Sequence, residues 1–390
     1  MRLATLALGL LTGPLAAQDV PCGGDFGDFV QGLQAEALAQ GQPADVVDAF
    51  FRSIRQDAAV LRADRQQGHF QRDFIDFSRR LISQDRLDRA RSKADRLDAT
   101  FDQIEARFGV PRGVLLAFWA FETDFGAVQG DFNTANALVT LAHDCRRPGL
   151  FRPEIFAAIT LFARGDFDPG RTTGAWAGEI GQVQMLPADI LAAGVDGDGD
   201  GHVTLKDSAA DALMSGAHLL QTLGWQAGQP WLQEIVVPDG LDWAQTGLDK
   251  TRSVADWAAM GIVARDGALG DGGMQASVLL PMGRHGPAFL AYPNFSIYFE
   301  WNQSLTYVTT AAYFANRITG APVYLAGDPD PGLEGEQMLA LQERLTALGH
   351  DVGRIDAILG ARTRIAVQAE QARLGLPADA WPTQALLDAL

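Results

Sequence analysis

Val110-Pro111-Arg112-Gly113-Val114-Leu115-Leu116-Ala117-Phe118-Trp119-Ala120-Phe121-Glu122-Thr123-Asp124-Phe125-Gly126 is the stretch on which the reading of this chain turns. Pro111 suits the first turn of a helix, where its missing N–H is not needed, and Gly126 suits the far end. Between them Val114 to Phe121 are eight apolar residues in succession. A helix apolar all round offers no face to water, so it belongs at the centre of a helical core. Glu122 follows the run directly. Burial and the negative end of the helix dipole both disfavour an ionised carboxylate there, which predicts a raised pKa and a group able to act as a general acid. Asp124 lies two residues on, about 200° round a helix, and is expected on another face.

Outward from this helix the chain is mainly α. From Asp25 to about Arg107 apolar residues such as Phe29, Leu33 and Leu38 recur at helical spacing. From Asp166 to Pro293 turn residues and short apolar runs alternate, which predicts loops, short helices and a small hairpin around a site. Tyr298 to Ile318 returns to a helical pattern. The stretch 326–332, Ala-Gly-Asp-Pro-Asp-Pro-Gly, reads as a linker between two domains. Beyond it Leu341, Leu345 and Leu348 form one helical stripe closed by Gly349, and Thr363 to Leu374 another closed by Gly375 and Pro377.

Met1, Arg2, the apolar run Leu3 to Leu11 and the small residues ending at Ala17 have the order of a secretory signal, 1–17. The run is too short to cross a hydrocarbon core, which takes about 20 residues, so no membrane anchor is expected and the mature protein should be soluble in the periplasm. In such an oxidising compartment the only two cysteines, Cys22 and Cys145, are expected to be bridged. The 390 residues allow two or three domains, and their formal net charge of -17 argues against a nucleic-acid partner, which would require a basic surface.

Asp196-Gly197-Asp198-Gly199-Asp200-Gly201-His202-Val203-Thr204-Leu205-Lys206-Asp207 is a twelve-residue calcium-loop frame. Acids stand at its positions 1, 3, 5 and 12, and Gly201 falls where the chain must turn sharply. Four crowded carboxylates repel one another without a cation, so Asp196, Asp198, Asp200 and Asp207 are expected to hold Ca2+, with His202 offering its backbone carbonyl. One loop of this kind implies a structural ion.

Ala120-Phe121-Glu122-Thr123-Asp124-Phe125-Gly126 resembles the catalytic-helix motif of the B-type membrane-bound lytic murein transglycosylases. Further blocks resemble the same family: Trp176-Ala177-Gly178-Glu179-Ile180-Gly181-Gln182-Val183-Gln184-Met185-Leu186-Pro187, then the calcium loop, then Pro293-Asn294-Phe295-Ser296-Ile297 leading into Trp301-Asn302-Gln303-Ser304-Leu305-Thr306-Tyr307. The resemblance implies a lysozyme-like catalytic domain over 18–325, with Glu122 as its one catalytic acid and base. It also implies that Gln184, Asn302 and Tyr307 line a sugar cleft and that the partner is the glycan strand of peptidoglycan. No organic cofactor is implied, and the molecule is expected to be a monomer. Bland readings stand beside these: Gln184 could satisfy a loop backbone, Asn302 could cap a helix and Tyr307 could be core. Two departures from the family pattern are Ala175, where serine is common, and Trp301, where tyrosine is usual.

Residues 333–390 resemble the small three-helix peptidoglycan-binding domain of wall enzymes, through Leu341-Gln342, Leu348-Gly349, Asp356, Gly360, Arg362-Thr363 and Gly375-Leu376-Pro377. There Ala357 replaces a common glycine and Glu370 a common aromatic.

In the family reaction one glutamate protonates the bridging oxygen after N-acetylmuramic acid and then takes the proton of that sugar's 6-hydroxyl, leaving a 1,6-anhydromuramoyl end. A hydrolase would instead need a second carboxylate about 5 to 9.5 Å away, for which Glu179 and Glu300 are the candidates. A muramidase-type hydrolase on the same scaffold and a non-catalytic wall-binding protein are the alternatives. Deleting 333–390 is expected to weaken wall binding and leave activity on short soluble glycans.

Overall fold

The computed structural model describes residues 20–66 and 72–390. The signal read over 1–17 lies outside them. No helix among the described residues is long and apolar enough to cross a membrane.

The apolar run forms the helix Arg112–Thr123, and every residue from Gly113 to Ala120 is buried in it. It is the axis of the main core. The helices Gln84–Arg96, Ala209–Thr222 and Leu305–Ile318 pack round it, and Gly113 lets the last approach closely, since a Cβ there would lie 3.1 Å from the Ala315 carbonyl oxygen. Among the described residues six helices precede it, from Phe26–Ala39 to Asp98–Phe108, in line with the helical spacing read over this stretch. Serine and aspartate cap several of them, as Ser83 does by accepting the Arg86 N–H at 3.1 Å. Cys22 and Cys145 are joined, tying the first described residues to the turn after the helix Thr134–His143.

Helix Arg112–Thr123 stops before Gly126. Asp124 and Phe125 already adopt left-handed φ values of 53° and 63°. Aspartate tolerates that region better than most residues, and here its carboxylate is also held by Arg86 at 3.1 Å and Arg89 at 2.7 Å. These guanidinium groups keep the Asp124 carboxyl below the usual carboxylate range, Arg89 most of all. Asp124 is a helix stop and an ion-pair hub, on a different face from Glu122.

The region from Asp166 to Pro293 holds more sheet than a small hairpin. Five antiparallel strands are arranged in the order β4 (Arg252–Ser253), β6 (Gln275–Leu279), β7 (Phe289–Ala291), β3 (Leu232–Val236) and β5 (Val263–Ala264). The remaining pair, β1 (Phe132–Asn133) and β2 (Thr173–Gly174), stands apart. Strands of two to five residues are too short to display alternation, and β6 is buried at every position after Gln275, so it reads as a plain apolar run. The sheet has its own core, with Trp257, Ile262, Val278 and Leu290 fully buried. The helical stretch Tyr298 to Ile318 is in fact two helices, Pro293–Trp301 and Leu305–Ile318, broken at Asn302.

The carboxyl-terminal module has helices Gly335–Ala347, Ala361–Arg373 and Gln384–Ala389 around Leu341, Leu345, Val367 and Leu386. Leu348 is 52% exposed, so the stripe ends at Leu345. Ala357 has φ 62°, a left-handed conformation that explains why glycine is common at this place. Glu370, where an aromatic is common, is buried and accepts from His350 at 2.8 Å and Arg373 at 2.6 Å.

The connecting segment 326–332 is pinned along its length. The Asp328 N–H donates to the His285 carbonyl at 2.9 Å, Arg284 pairs with Asp330 at 3.3 Å, and the Trp381 indole donates to the Asp330 carbonyl at 2.8 Å. Trp381 itself packs into the main core. Arg364, Gln368 and Asp379 of the module bond to the main body, so the two units meet over a built interface.

Candidate active site

Glu122 is the penultimate residue of its helix, where the buried core gives way to a half-buried surface. Two later elements reach it. The Trp301 indole, at the end of Pro293–Trp301, donates to Glu122 Oε1 at 3.0 Å, and the Tyr307 hydroxyl, in the first turn of Leu305–Ile318, donates to the same oxygen. Both rings are braced: Trp301 stacks on Phe118 with centroids 4.5 Å apart, and Tyr307 meets Phe121 edge-on at 5.9 Å. With Oε1 committed, Oε2 has no hydrogen bond to the described residues and is not closed off.

Burial is the main force raising the Glu122 pKa above the ordinary glutamate value. The bonds from Tyr307 and Trp301 oppose it, because they favour the ionised form, and the nearby charge of Glu179 adds to the rise. Burial and the Glu122 carboxylate hold the Tyr307 hydroxyl well above its usual range, so it remains a donor. Burial therefore favours the protonated acid, with Oε2 left open to carry the proton, while two fixed donors stabilise the carboxylate once that proton leaves.

Trp301 replaces a tyrosine of the family pattern, yet an indole N–H is a donor only, and here it does a donor's task. The sequence marked this residue as a departure; its bond to Glu122 depends on a fold that brings residues 179 positions apart together. Thr123 and Gln182 were also missed. Thr123 Oγ1 donates to the Gln182 carbonyl at 2.6 Å and the Trp119 indole to Gln182 Oε1 at 3.1 Å, fastening the second block to the helix Arg112–Thr123.

Gln184 and Asn302 are placed differently from Tyr307. Gln184, at a left-handed φ of 54°, donates through Nε2 to the Gly181 carbonyl at 2.8 Å and the Gln129 carbonyl at 3.3 Å. Asn302 Oδ1 accepts the Ser304 N–H at 2.9 Å at the break between the two helices. Neither side chain bonds to Glu122. Of the two other carboxylates singled out by sequence, Glu300 is exposed, whereas Glu179 is half-buried and its charge reaches Glu122.

In the acidic loop, carboxylate oxygens of Asp196, Asp198 and Asp211 lie within 4.8 Å of one another. Asp200 and Asp207 stand outside that group. Asp200 Oδ1 accepts the His202 N–H at 2.8 Å, while Asp207 donates its backbone N–H to the Thr204 carbonyl. Asp211 lies four residues past the twelve-residue frame, in the first turn of Ala209–Thr222, and is fully buried. The helix start turns its side chain back into the loop, where it accepts from Gly197 at 2.9 Å and Thr204 at 2.8 Å. Hard oxygen donors crowded on one turn suit a divalent cation, and a buried acid among like charges fits one especially well. The loop adjoins the active site: the Gln182 N–H donates to the Leu205 carbonyl at 2.9 Å.

The comparisons with known proteins agree with this architecture. The model of the transglycosylase SLT domain matches residues 25–316, and that of the putative peptidoglycan-binding domain matches 334–390. Membrane-bound lytic murein transglycosylase B of Escherichia coli strain K12 is 30% identical over 203 residues, covering 51% of this chain and 55% of that protein. The chain thus spans about half the length of that curated relative. SltB3 from Pseudomonas aeruginosa, solved with NAG-anhNAM-pentapeptide, is 34% identical with a TM-score of 0.85, covering 94% of this chain and 99% of its own. Lytic transglycosylase SLT35 of Escherichia coli, solved with calcium, shares the fold at 23% identity and a TM-score of 0.66, over 78% of this chain and 97% of its own. With a lysozyme-like helical body built round Glu122 and a wall-binding type of module docked behind it, this chain belongs to the transglycosylase SLT domain family.

Proposed function

We propose that this protein is a lytic murein transglycosylase that cuts the bond after N-acetylmuramic acid in peptidoglycan strands. The observation that carries the reading is Glu122, a carboxylate with raised pKa, one oxygen held by Trp301 and Tyr307 and the other open. The proton on Oε2 passes to the bridging oxygen as the bond from C1 to that oxygen breaks. Tyr307 and Trp301 stabilise the carboxylate formed. The 6-hydroxyl of the same sugar then closes on C1 and gives its proton to Glu122, which restores the acid and leaves a 1,6-anhydromuramoyl end. No water enters the balance.

Asp196, Asp198 and Asp211 are the residues that would hold Ca2+, which supplies charge neutralisation and rigidity to the loop beside Gln182. The module over 333–390 gives the enzyme a second hold on peptidoglycan, and Gln184 and Asn302 shape the cleft through the backbone they brace. The signal read over 1–17 supports export to the periplasm, where the enzyme acts as a monomer. The test is digestion of purified sacculi followed by mass analysis. Wild type should release anhydromuropeptides, and Glu122→Gln should lose at least about 10² to 10⁴ in rate, the usual contribution of a positioned acid or base. Asp124→Asn should keep activity and lose only stability. Products with water added at reducing ends would overturn the reading in favour of a hydrolase.

A further inference from the structure

Gln182 touches two neighbouring elements at once. Towards the helix Arg112–Thr123, its carbonyl accepts the Thr123 hydroxyl at 2.6 Å and its Oε1 the Trp119 indole N–H at 3.1 Å. Towards the acidic loop, its N–H donates to the Leu205 carbonyl at 2.9 Å and its Nε2 reaches the Lys206 carbonyl at 3.4 Å. A second amide runs parallel to it: Gln129 Nε2 donates to the Gly126 and Lys206 carbonyls, both at 3.1 Å. Packing leaves these contacts no slack. A Cβ at Gly126 would lie 2.6 Å from Gln182 Oε1, and one at Gly181 would lie 2.5 Å from Leu205 Cβ. Trp119, Thr123 and Gln182 are all buried, so a bond broken here is not made good by bulk water.

The grip bears on Glu122. Trp119 and Thr123 are four residues apart, on one face of their helix, and Glu122 stands about 100° round from Thr123. Holding that face fixes the rotation of the helix end, and with it the direction in which Glu122 presents its open oxygen. A displacement of about 1 Å near a reacting group can cost about 10²-fold in rate. At the loop, the Thr204 N–H donates to Asp211 Oδ2 at 2.8 Å. The carbonyls that receive Gln182 therefore follow directly on a residue held by one of the three clustered acids. Without a cation those acids repel one another. The repulsion is relieved by movement of the loop, and Gln182 carries that movement to the helix end.

We propose that Gln182 is a positioning residue that couples the acidic loop to Glu122, so that calcium held by Asp196, Asp198 and Asp211 sets the rate of strand cleavage. This regulation rests on the transglycosylase reading and deepens it.

The experiment measures kcat and KM on soluble, uncrosslinked strands, with calcium and in chelator, for wild type, Gln182→Leu, Thr123→Val and Thr123→Ser. Hydrogen exchange of the Trp119 indole N–H, assigned in heteronuclear NMR spectra by its loss in Trp119→Phe, reports the grip without turnover. Calcium removal from wild type should lower kcat about 10- to 100-fold, leave KM within about threefold and speed the indole exchange. Gln182→Leu and Thr123→Val should have the low kcat already in calcium and lose little more in chelator, while titration calorimetry still shows calcium binding. Thr123→Ser keeps the hydroxyl and should behave as wild type. Should Gln182→Leu show no cooperative melting, the Thr123 pair decides by the same criterion. Calcium that binds by calorimetry yet leaves wild-type kcat and the indole exchange unchanged would overturn this proposal alone, since anhydro ends would still form. Chelation that lowers kcat by an equal factor in wild type and both variants would also overturn it, because the loop would then act by another route. So would a loop that binds no calcium. Water-bearing products from wild type would instead overturn the transglycosylase reading, and the dependence of the rate on calcium and Gln182 is judged from the same measurements.

Discussion

The half-buried Arg364 guanidinium of the module donates to the Pro281 carbonyl of the main body at 2.6 Å. The same group reaches the Leu280 carbonyl at 3.4 Å, and Gln368 Nε2 donates to the Trp243 and Thr246 carbonyls at 3.1 and 2.9 Å. Four backbone acceptors of one unit are thus satisfied by two side chains of the other. Deleting 333–390 would take the donor from the Pro281 carbonyl, strip one donor from each of the other three and remove Trp381 from the main core. The expected result is a truncated body that melts lower and loses activity even on soluble strands, contrary to the separable behaviour that the linker composition predicts. Arg364→Ala should cost about 2 to 4 kcal/mol, the scale of a buried charged group removed from its partners. One calorimetric unfolding transition for the full chain, rather than two, checks the coupling.

Tyr307→Phe tests the donor on Glu122 Oε1. That bond favours the ionised glutamate, so removing it raises the Glu122 pKa further. The acid form is the one that cleaves, so the alkaline limb of the pH–rate profile should move to higher pH. The return of the proton then finds a less stabilised carboxylate, and kcat should fall by about tenfold or more. An alkaline limb that stays in place would show that Tyr307 does not tune Glu122.

Glu154 supplies a stability signature in a defined pH window. It is buried in Pro148–Arg164, and burial pushes its carboxyl up to about 7, with the Asp189 charge adding to the rise and the 2.8 Å bond from the Ala188 N–H opposing it. The folded state holds the proton more tightly than the unfolded chain. Its favourable contribution is therefore complete below the unfolded value of about 4.3 and is lost as pH rises through about 7. After discounting for partial solvent screening the change is roughly 2 kcal/mol. Wild type should lose melting temperature between pH 5 and about 8 relative to Glu154→Gln, and parallel curves would refute the assignment.

Calcium should bind through Asp211 rather than Asp207. Asp211→Asn is expected to weaken calcium by more than about tenfold in titration calorimetry, while Asp207→Asn changes it little. Chelation should lower the wild-type melting temperature, since an ion at 100 times its Kd contributes about 2.7 kcal/mol. Asp211 also accepts backbone bonds with no exposure to solvent, so Asp211→Asn should be less stable than Asp207→Asn even in chelator.

Local chemistry along the chain was enough to place the buried helix Arg112–Thr123 at the centre, to put Glu122 at its end with a raised pKa, to turn Asp124 away from it and to read a helical module over 333–390. Those properties depend on residues close in sequence: an unbroken apolar run, a carboxylate after it, and stripes three or four residues apart. What brings distant residues together was not legible. The donors on Glu122 come from 179 and 185 positions away, the Arg364 bond to Pro281 spans 83, and the five-stranded sheet is made of pairings too short to carry a pattern. Asp211 escaped because a helix start turned a residue beyond the loop back into it. Periodicity records which side of an element is buried; it does not record against what, and that choice is made only when the whole core packs. The place of Glu122 at the end of a buried helix was therefore a property of the sequence, while its hydrogen bonds and the docking of the module were decided by the tertiary structure.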